Sequence, residues 1–428
     1  MKNRTAFPPV FWVANSIEIL ERIAYYGIYM GFGIYMTSLG FSKAELGGIQ
    51  TIFILFSYMI PVISGTFADR FGFKKVLIVA YLAYLPSILL LLITKSFSGI
   101  ALSMLFIGFA AGIFKPLISG TIRVVSSADN KTLGFGIFYQ MVNIGGLLGP
   151  IIAGKLRVIS WNYAFLASAI SIGIMFFVTL FFYKEPPRQI EGITLKQKFK
   201  DLGIALSDLK FLLFLFLLGS FFWIPFWSFF NLIGLYIDQS LDTAKLYIAM
   251  NSILPGWFTN IFSRVDENGV RRILGESIGN TGLYIIIFQL LVSKISQSRR
   301  AMPTFITGLA ISGVGYLVIG ASFIFNPAWV FAGMFLFAIG EMTSSPRIQE
   351  YITWIAPKEK AGLYMGSNFL ATALGAFSGI IYQPIFGYFT GKGHPEYIWY
   401  ILAVHLALAC LVFLIFVRIA GEFKEMER

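Results

Sequence analysis

Residues 10–38 read VFWVANSIEILERIAYYGIYMGFGIYMTS, an apolar stretch of membrane-crossing length broken by Glu18, Glu21 and Arg22. About 20 consecutive apolar residues carry a helix across the hydrocarbon core of a bilayer. Glu18, Glu21, Arg22 and Tyr25 stand at i, i+3, i+4 and i+7. They therefore share one helix face, with Glu18 one turn from Arg22. A lone charge at mid-bilayer costs roughly 2.5–3.5 kcal/mol on insertion. Three on one face predict a helix whose charged stripe turns toward a water-filled cavity.

The rest of the chain has the same character. Of its 428 residues 57% are hydrophobic and 13% charged, with a mean hydropathy of +0.76. Soluble domains carry about 25% charged residues, so these charges are too few to coat a soluble surface. Apolar runs predict twelve spans near 10–38, 46–68, 76–94, 98–122, 133–156, 161–183, 211–237, 278–295, 303–324, 327–355, 362–390 and 397–419. The expected fold is an all-α integral membrane protein of twelve transmembrane helices in two six-helix bundles.

The polar stretch from Lys184 to Lys210 opens with Glu185-Pro186-Pro187-Arg188 and continues as a basic amphipathic segment. It divides the chain into a bundle at 1–183, a linker at 184–210 and a second bundle at 211–428. An outer loop is expected at about 238–277, where Asp266, Glu267, Asn268 and Gly269 read as a turn. Ile253 to Phe262 is expected near the membrane interface. Six spans plus six is the plan of carriers whose halves rock around a midplane site.

Charge distribution sets the orientation. With both termini inside, 21 of the 33 basic residues fall on that side and nine on the other, leaving Arg22, Lys115 and Arg347 within spans. The positive-inside rule places both ends in the cytoplasm of a multi-pass cell-membrane protein. The net charge of +12 is thus explained by topology rather than by nucleic acid. Glu18, Glu21 and Arg22 interrupt the first apolar run where a cleavable signal would be uncharged. One cysteine, Cys410, and two histidines, His394 and His405, make neither an internal disulfide nor a His/Cys metal centre. No metal or organic cofactor is expected, and no Ser–His or His–carboxylate set suggests an enzyme.

Other charges inside spans complete the candidate site. Lys115 lies in Gly112-Ile113-Phe114-Lys115-Pro116, whose proline frees a carbonyl and can kink the helix toward the cavity. Glu18, Glu21, Arg22 and Lys115 sum to zero, which suggests mutual pairing with partners exchangeable for a proton or a substrate carboxylate. Tyr139 and Asn143 stand at i, i+4 ahead of Gly145, Gly146, Gly149 and Pro150, where the glycines read as close helix packing. The tenth span carries Gly340-Glu341, Ser344-Ser345-Pro346-Arg347 and Glu350. Glu341 is expected to face the cavity of Lys115 from the other bundle, and Arg347 to pair with Glu350 at the cytoplasmic end. Trp223, Phe226, Trp227 and Phe230 follow helical spacing, and one or two of them are expected to line the cavity.

Several of these stretches resemble one family. Glu18-Ile-Leu-Glu21-Arg22-Ile-Ala-Tyr25-Tyr26-Gly27 resembles the first-helix ExxERFxYYG motif of the proton-dependent oligopeptide transporter family, within the major facilitator superfamily. Gly65-Thr-Phe-Ala68-Asp69-Arg70-Phe-Gly72-Phe-Lys74-Lys75 is similar to the superfamily's signature between spans two and three. Gly112-Ile-Phe-Lys115-Pro116 and Phe138-Tyr139-Gln-Met-Val-Asn143-Ile-Gly145 are similar to the fourth- and fifth-helix motifs. Gly340-Glu341 with Ser345-Pro346, Glu350-Tyr351 and Ala356-Pro357 is similar to the tenth, and Ser277-Ile278-Gly279-Asn280 to the start of the eighth.

The resemblance implies inward proton-coupled symport of di- and tripeptides. It implies that the peptide carboxylate meets Arg22, Lys115 and Tyr25 or Tyr26, and that the amino end meets Glu341, Asn280 and Asn143. Asp69 and Arg70 would belong to an inner latch. The family's seventh-helix acid is missing, since Phe211 to Ile237 holds no Asp or Glu; Asn368 stands where its eleventh-helix tryptophan is expected, and Ile23 replaces a phenylalanine. The coupling proton is therefore expected on Glu18 or Glu21, with Glu341 as their rival. The expected partners are a small peptide or related small molecule, protons and the bilayer, with the chain acting as a monomer. A carrier of another solute, such as a drug or organic anion, and a non-transporting receptor remain the alternatives.

Overall fold

The computed structural model describes residues 6–127, 130–186, 195–296, 299–355 and 361–421. The first bundle consists of α1 (Pro9–Ser38), α2 (Lys43–Met59), α3 (Pro61–Phe71), α4 (Phe73–Ile93), α5 (Phe97–Val125), α6 (Lys131–Arg157) and α7 (Trp161–Phe182). A linker helix α8 (Leu195–Leu206) follows. The second bundle begins with α9 (Leu209–Leu218), a π-helical turn at Gly219–Trp223 and α10 (Ile224–Ser240), which form one crossing. It continues through the short helices α11 (Thr243–Asn251), α12 (Gly256–Thr259) and α13 (Gly275–Ile278), then α14 (Gly282–Ser296), α15 (Ala301–Ile324), α16 (Trp329–Ile355), α17 (Ala361–Leu374), α18 (Ser378–Gly391) and α19 (Tyr397–Ala420).

Among the described residues nine helical runs are long and apolar enough to cross a membrane, and the pair α2–α3, bent by 42°, makes a tenth. The remaining two crossings, α1 and α16, are the ones that carry Glu18, Glu21 and Arg22, and Glu341 and Arg347. Polarity inside these helices, not shortage of length, sets them apart. The twelve crossings bring the start of α1 and the end of α19 to one face, the near face, and leave the connection from α10 to α13 on the far face.

Local chemistry fixes the helix ends. Ser42 and Glu45 form a reciprocal capping box on α2, and Ser96, Ser160 and Asp208 accept backbone N–H groups at the starts of α5, α7 and α9. Glu185, just beyond α7, caps α4 by accepting from the amides of Phe73 at 2.7 Å and Lys74 at 2.9 Å. Pro116 cannot donate to the Gly112 carbonyl one turn earlier, and the Ser64 hydroxyl of α3 donates to that freed oxygen instead, at 3.2 Å. The freed carbonyl foreseen from the sequence is thus satisfied by a neighbouring helix.

The bundles meet along α1 and α10, α2 and α18, and α6 and α14. At the α2–α18 contact Gly47 and Gly379 face each other. A Cβ on either would lie 2.3–2.4 Å from the other's carbonyl oxygen, so only glycine allows this approach.

The far-face connection is shorter than the loop expected at 238–277. The seventh crossing continues to Ser240, and Gly275–Ile278 already belongs to the eighth. Between them, β1 (Ser263–Val265) pairs antiparallel with β2 (Arg271–Ile273). The anticipated turn closes this hairpin, with Gly269 at φ +77°. A hydrogen bond from Arg272, then those from the Val270 and Asn268 amides, hold the Asp266 carboxyl below its ordinary range. Ile253 and Trp257 are exposed here.

Candidate functional site

The charged stripe of α1 forms one buried ionic cluster. Arg22 Nε donates to Glu18 Oε1 at 2.7 Å, and Arg22 Nη1 lies 3.2 Å from Glu21 Oε2. Tyr84 of α4 donates its hydroxyl to Glu21 Oε1 at 3.1 Å. Glu18 and Glu21 are fully buried. Gly145 lets α6 close over the stripe: a Cβ there would lie 2.5 Å from the Arg22 Cβ and 2.6 Å from the Ile19 carbonyl oxygen. The packing role read for this glycine therefore protects the cluster.

Lys115 of α5 approaches the same region from the other side. Its Nζ lies 3.8 Å from the Tyr58 ring centre and 5.0 Å from that of Tyr25, and donates to the Ser57 carbonyl at 3.3 Å. An ammonium desolvated against two aromatic faces is held by their quadrupoles. Tyr25 is buried beside it.

A cavity of about 190 Å³ lies between the bundles at mid-depth. The first bundle contributes Tyr26, Tyr58, Tyr139, Asn143 and Gly146, and the second Trp223, Phe226, Trp227, Phe230, Asn280, Thr281 and Glu341. All four aromatics of the seventh-span stripe reach it, where the sequence promised one or two. Two breaks in regular helix shape its wall. The π-helical turn at Gly219–Trp223 precedes Pro225, and its Ser220 carbonyl lies 3.1 Å from His405 Nε2 of α19. The eighth crossing is interrupted between α13 and α14, so that Asn280 and Thr281 sit on an irregular segment facing the cavity. Thr281 donates to Glu341 Oε2 at 3.1 Å, and among the described residues no cation lies within ion-pair distance of Glu341.

A larger cavity of about 940 Å³ extends from this level to the near face, lined by Asp69, Arg123, Lys131, Gln349 and Asn368 among others. Tyr58 and Trp223 line both cavities and so form their boundary. Arg70, beside Asp69, is exposed and lies over the Phe71 ring at 5.2 Å.

The far half is closed by two layers of cross-bundle contacts. Deeper in, the Tyr29 hydroxyl donates to the Asn231 side-chain oxygen and Gln383 donates to Gln50 at 3.0 Å across the bundles, while Asn231 Nδ2 donates to Ser378 Oγ at 2.9 Å within the second bundle. Further out, Arg157 binds Asp238 at 2.8 Å and also pairs with Glu276. The molecule is thus open at the near face and shut at the far face.

The structure brings Tyr26, Asn143, Asn280 and Glu341 together around one cavity. Arg22, Glu18, Glu21, Lys115 and Tyr25 stand behind its wall, and Asp69 lies at the near-face mouth. Arg347 is buried and donates to the Arg299 carbonyl. The side chain of Glu350, together with Ala356, Pro357 and the linker residues Pro187 and Arg188, falls outside the described residues. Sequence reading missed Tyr58 and the Arg157–Asp238–Glu276 triad. The triad's members sit at crossing ends, where charges read as topology; the signal available was an arginine and two acids at adjoining ends of the fifth, seventh and eighth crossings.

The sequence profile of the Major Facilitator Superfamily matches residues 16–380. Among curated proteins, the quinolone resistance protein NorA of Staphylococcus aureus (strain MRSA252) is 28% identical over 158 residues, covering 35% of this chain and 40% of NorA. The chain thus spans about two fifths of that relative's length. A Na(+), Li(+), K(+)/H(+) antiporter of Planococcus maritimus is 22% identical over 395 residues, covering 87% of this chain and 88% of that protein. Among solved structures, a POT family transporter in complex with 5-aminolevulinic acid superposes with a TM-score of 0.73 at 21% identity, covering 96% of both chains. The likeness at this identity is one of fold.

Proposed function

This chain belongs to the major facilitator superfamily, and on that premise we propose that it is a proton-coupled symporter of di- and tripeptides. It works by alternating access in the cell membrane, with both termini cytoplasmic, so that the near face is the cytoplasmic one. The bundles at 1–183 and 211–428 rock about the midplane cavity, joined by the linker at 184–210. The observation that carries the reading is the shared cavity with Glu341, Asn143 and Asn280 on one side and the Arg22–Lys115 pair behind its wall on the other. A peptide's ammonium meets Glu341, Asn280 and Asn143, and its carboxylate meets Arg22, Lys115 and Tyr26, with Tyr25 positioning Lys115.

Uphill transport requires that proton and peptide binding be linked, and that linkage is reciprocal. A carboxylate arriving at Arg22 and Lys115 competes with Glu21 for both cations, which favours protonation of Glu21. The proton then travels with the substrate, no metal or organic cofactor takes part, and one chain suffices. Uptake of labelled dialanine into vesicles should accelerate when an inward proton gradient is imposed. Uptake that ignores the gradient would remove the coupling, and no uptake would remove the substrate.

The absence of Asp and Glu from Phe211 to Ile237 favours a second reading. The same cavity would then serve another small solute, a class of activity to which the drug-resistance and cation-antiporter relatives belong by name.

A further inference from the structure

The midplane cavity is charged in a way that the peptide reading does not use. Glu341 faces it without a cationic partner among the described residues. Among the described residues the ionisable groups packed around it and Glu341 include Glu18, Glu21 and Arg22 on α1, Lys115 on α5, and the phenols Tyr25, Tyr26, Tyr58, Tyr84, Tyr139 and Tyr316. With the phenols neutral, the carboxyls ionised and both cations charged, three carboxylates face two cations and the formal charge of the assembly is −1. A carboxylate covered by a ligand without a compensating cation is unfavourable, so a ligand that covers Glu341 and restores neutrality is favoured over one that does not.

A zwitterionic peptide brings no net charge and needs a proton beside it. An organic monocation restores neutrality by itself. The walls suit such a ligand, because Trp223, Phe226, Trp227 and Phe230 of the second bundle line the cavity together with Glu341, and a desolvated ammonium is attracted both to a carboxylate and to aromatic rings.

We propose that the cavity also binds a small primary amine on an aromatic or branched apolar body, without a carboxylate, in place of a peptide together with a proton. The proposal rests on the reading of this cavity as the substrate site. It requires that amine binding take up no proton and that protons compete with it, whereas peptide binding takes up about one. An inward proton gradient then does not drive amine uptake, whereas it drives peptide uptake.

Trp223 and Trp227 line the cavity and report occupancy directly by fluorescence. The full chain in nanodiscs is titrated with phenethylamine, dialanine and 3-phenylpropionate in weakly buffered solution containing a pH dye. Phenethylamine should quench fluorescence without proton uptake, and bind more weakly as pH falls. Dialanine should quench with uptake of about one proton, and phenylpropionate should do nothing. Glu341→Gln should weaken phenethylamine by at least about tenfold, as expected for a lost hydrogen bond to a charged group, while Glu341→Asp restores part of the response.

Dialanine binding without phenethylamine binding would overturn this inference and leave the peptide reading standing. Phenethylamine binding without dialanine binding would support the inference and overturn the peptide reading. A response to neither ligand overturns both. Proton uptake with phenethylamine, or equal quenching by phenylpropionate, overturns the charge argument.

Discussion

Arg157, at the far end of α6, holds Asp238 of α10 at 2.8 Å across the interface between the two bundles. The same guanidinium also pairs with Glu276, on the first turn of the eighth crossing. One side chain of the first bundle therefore ties down the ends of two crossings of the second. Replacing Arg157 with Ala leaves the buried Glu276 and the partly buried Asp238 without this cation, which should favour opening of the far face by about 1–3 kcal/mol, roughly 5–150-fold in population. Distance distributions between spin labels on α2 and α18 at the far face should lengthen; an unchanged distribution would show that the hydrogen-bonded layer at Tyr29 and Asn231 seals the face alone.

Arg22 should tolerate lysine poorly. Its Nε and Nη1 reach Glu18 and Glu21 at once, and an ammonium lacks the fork that makes both contacts while still presenting N–H groups to a carboxylate. Dialanine affinity in Arg22→Lys and Lys115→Ala should fall by about 10–150-fold, the range for losing a hydrogen bond to a charged group. Unchanged binding in both proteins would remove these cations from the peptide site.

Glu21 is the proposed carrier of the coupling proton. Glu21→Gln keeps the hydrogen bond with Tyr84 within reach but cannot release a proton. This protein should exchange substrate in counterflow at near-normal rates and lose accumulation driven by a proton gradient. Persisting accumulation would transfer the role to Glu18 or Glu341.

Asp69 lines the mouth of the near-face cavity and, unlike Lys74 and Lys75, has no part in setting topology. Asp69→Asn should shift the resting population further toward the near-face-open arrangement. The check is the separation of spin labels on α3 and α17, and a distribution identical to that of the unmodified protein would argue against a latch at this residue.

Glu185 accepts from two amides at the start of α4. Removing it in Glu185→Ala should cost about 1 kcal/mol, as loss of a helix cap does, and lower the apparent melting temperature by roughly 1 °C. Transport at moderate temperature should change little, which separates this structural role from those of Asp69 and Glu21.

The twelve crossings and the charged stripe of α1 were legible in the sequence because bilayer insertion is costed residue by residue. An apolar run of sufficient length, or a Glu or Arg within it, carries its meaning without reference to any other part of the chain. Glu18 and Arg22 pair within one helix, so their spacing alone announced the contact. The same holds for Pro116, whose missing N–H frees the Gly112 carbonyl wherever the helix packs, and for the turn at Gly269.

Tertiary structure decided what belongs to no single helix. The sequence marks Tyr58 only as one aromatic among many; its place over Lys115 and between two cavities depends on how α2 and α5 are rotated against each other. The π-helical turn that carries Trp223, and the interruption that sets Asn280 in the cavity wall, are backbone departures stabilised by neighbouring crossings. Arg157, Asp238 and Glu276 sit where charges cost little individually, so their residue types carry no local sign of pairing. Local free energies fix which segments enter the membrane, while the relative placement of the helices, set by packing across the whole interface, fixes which of their side chains meet.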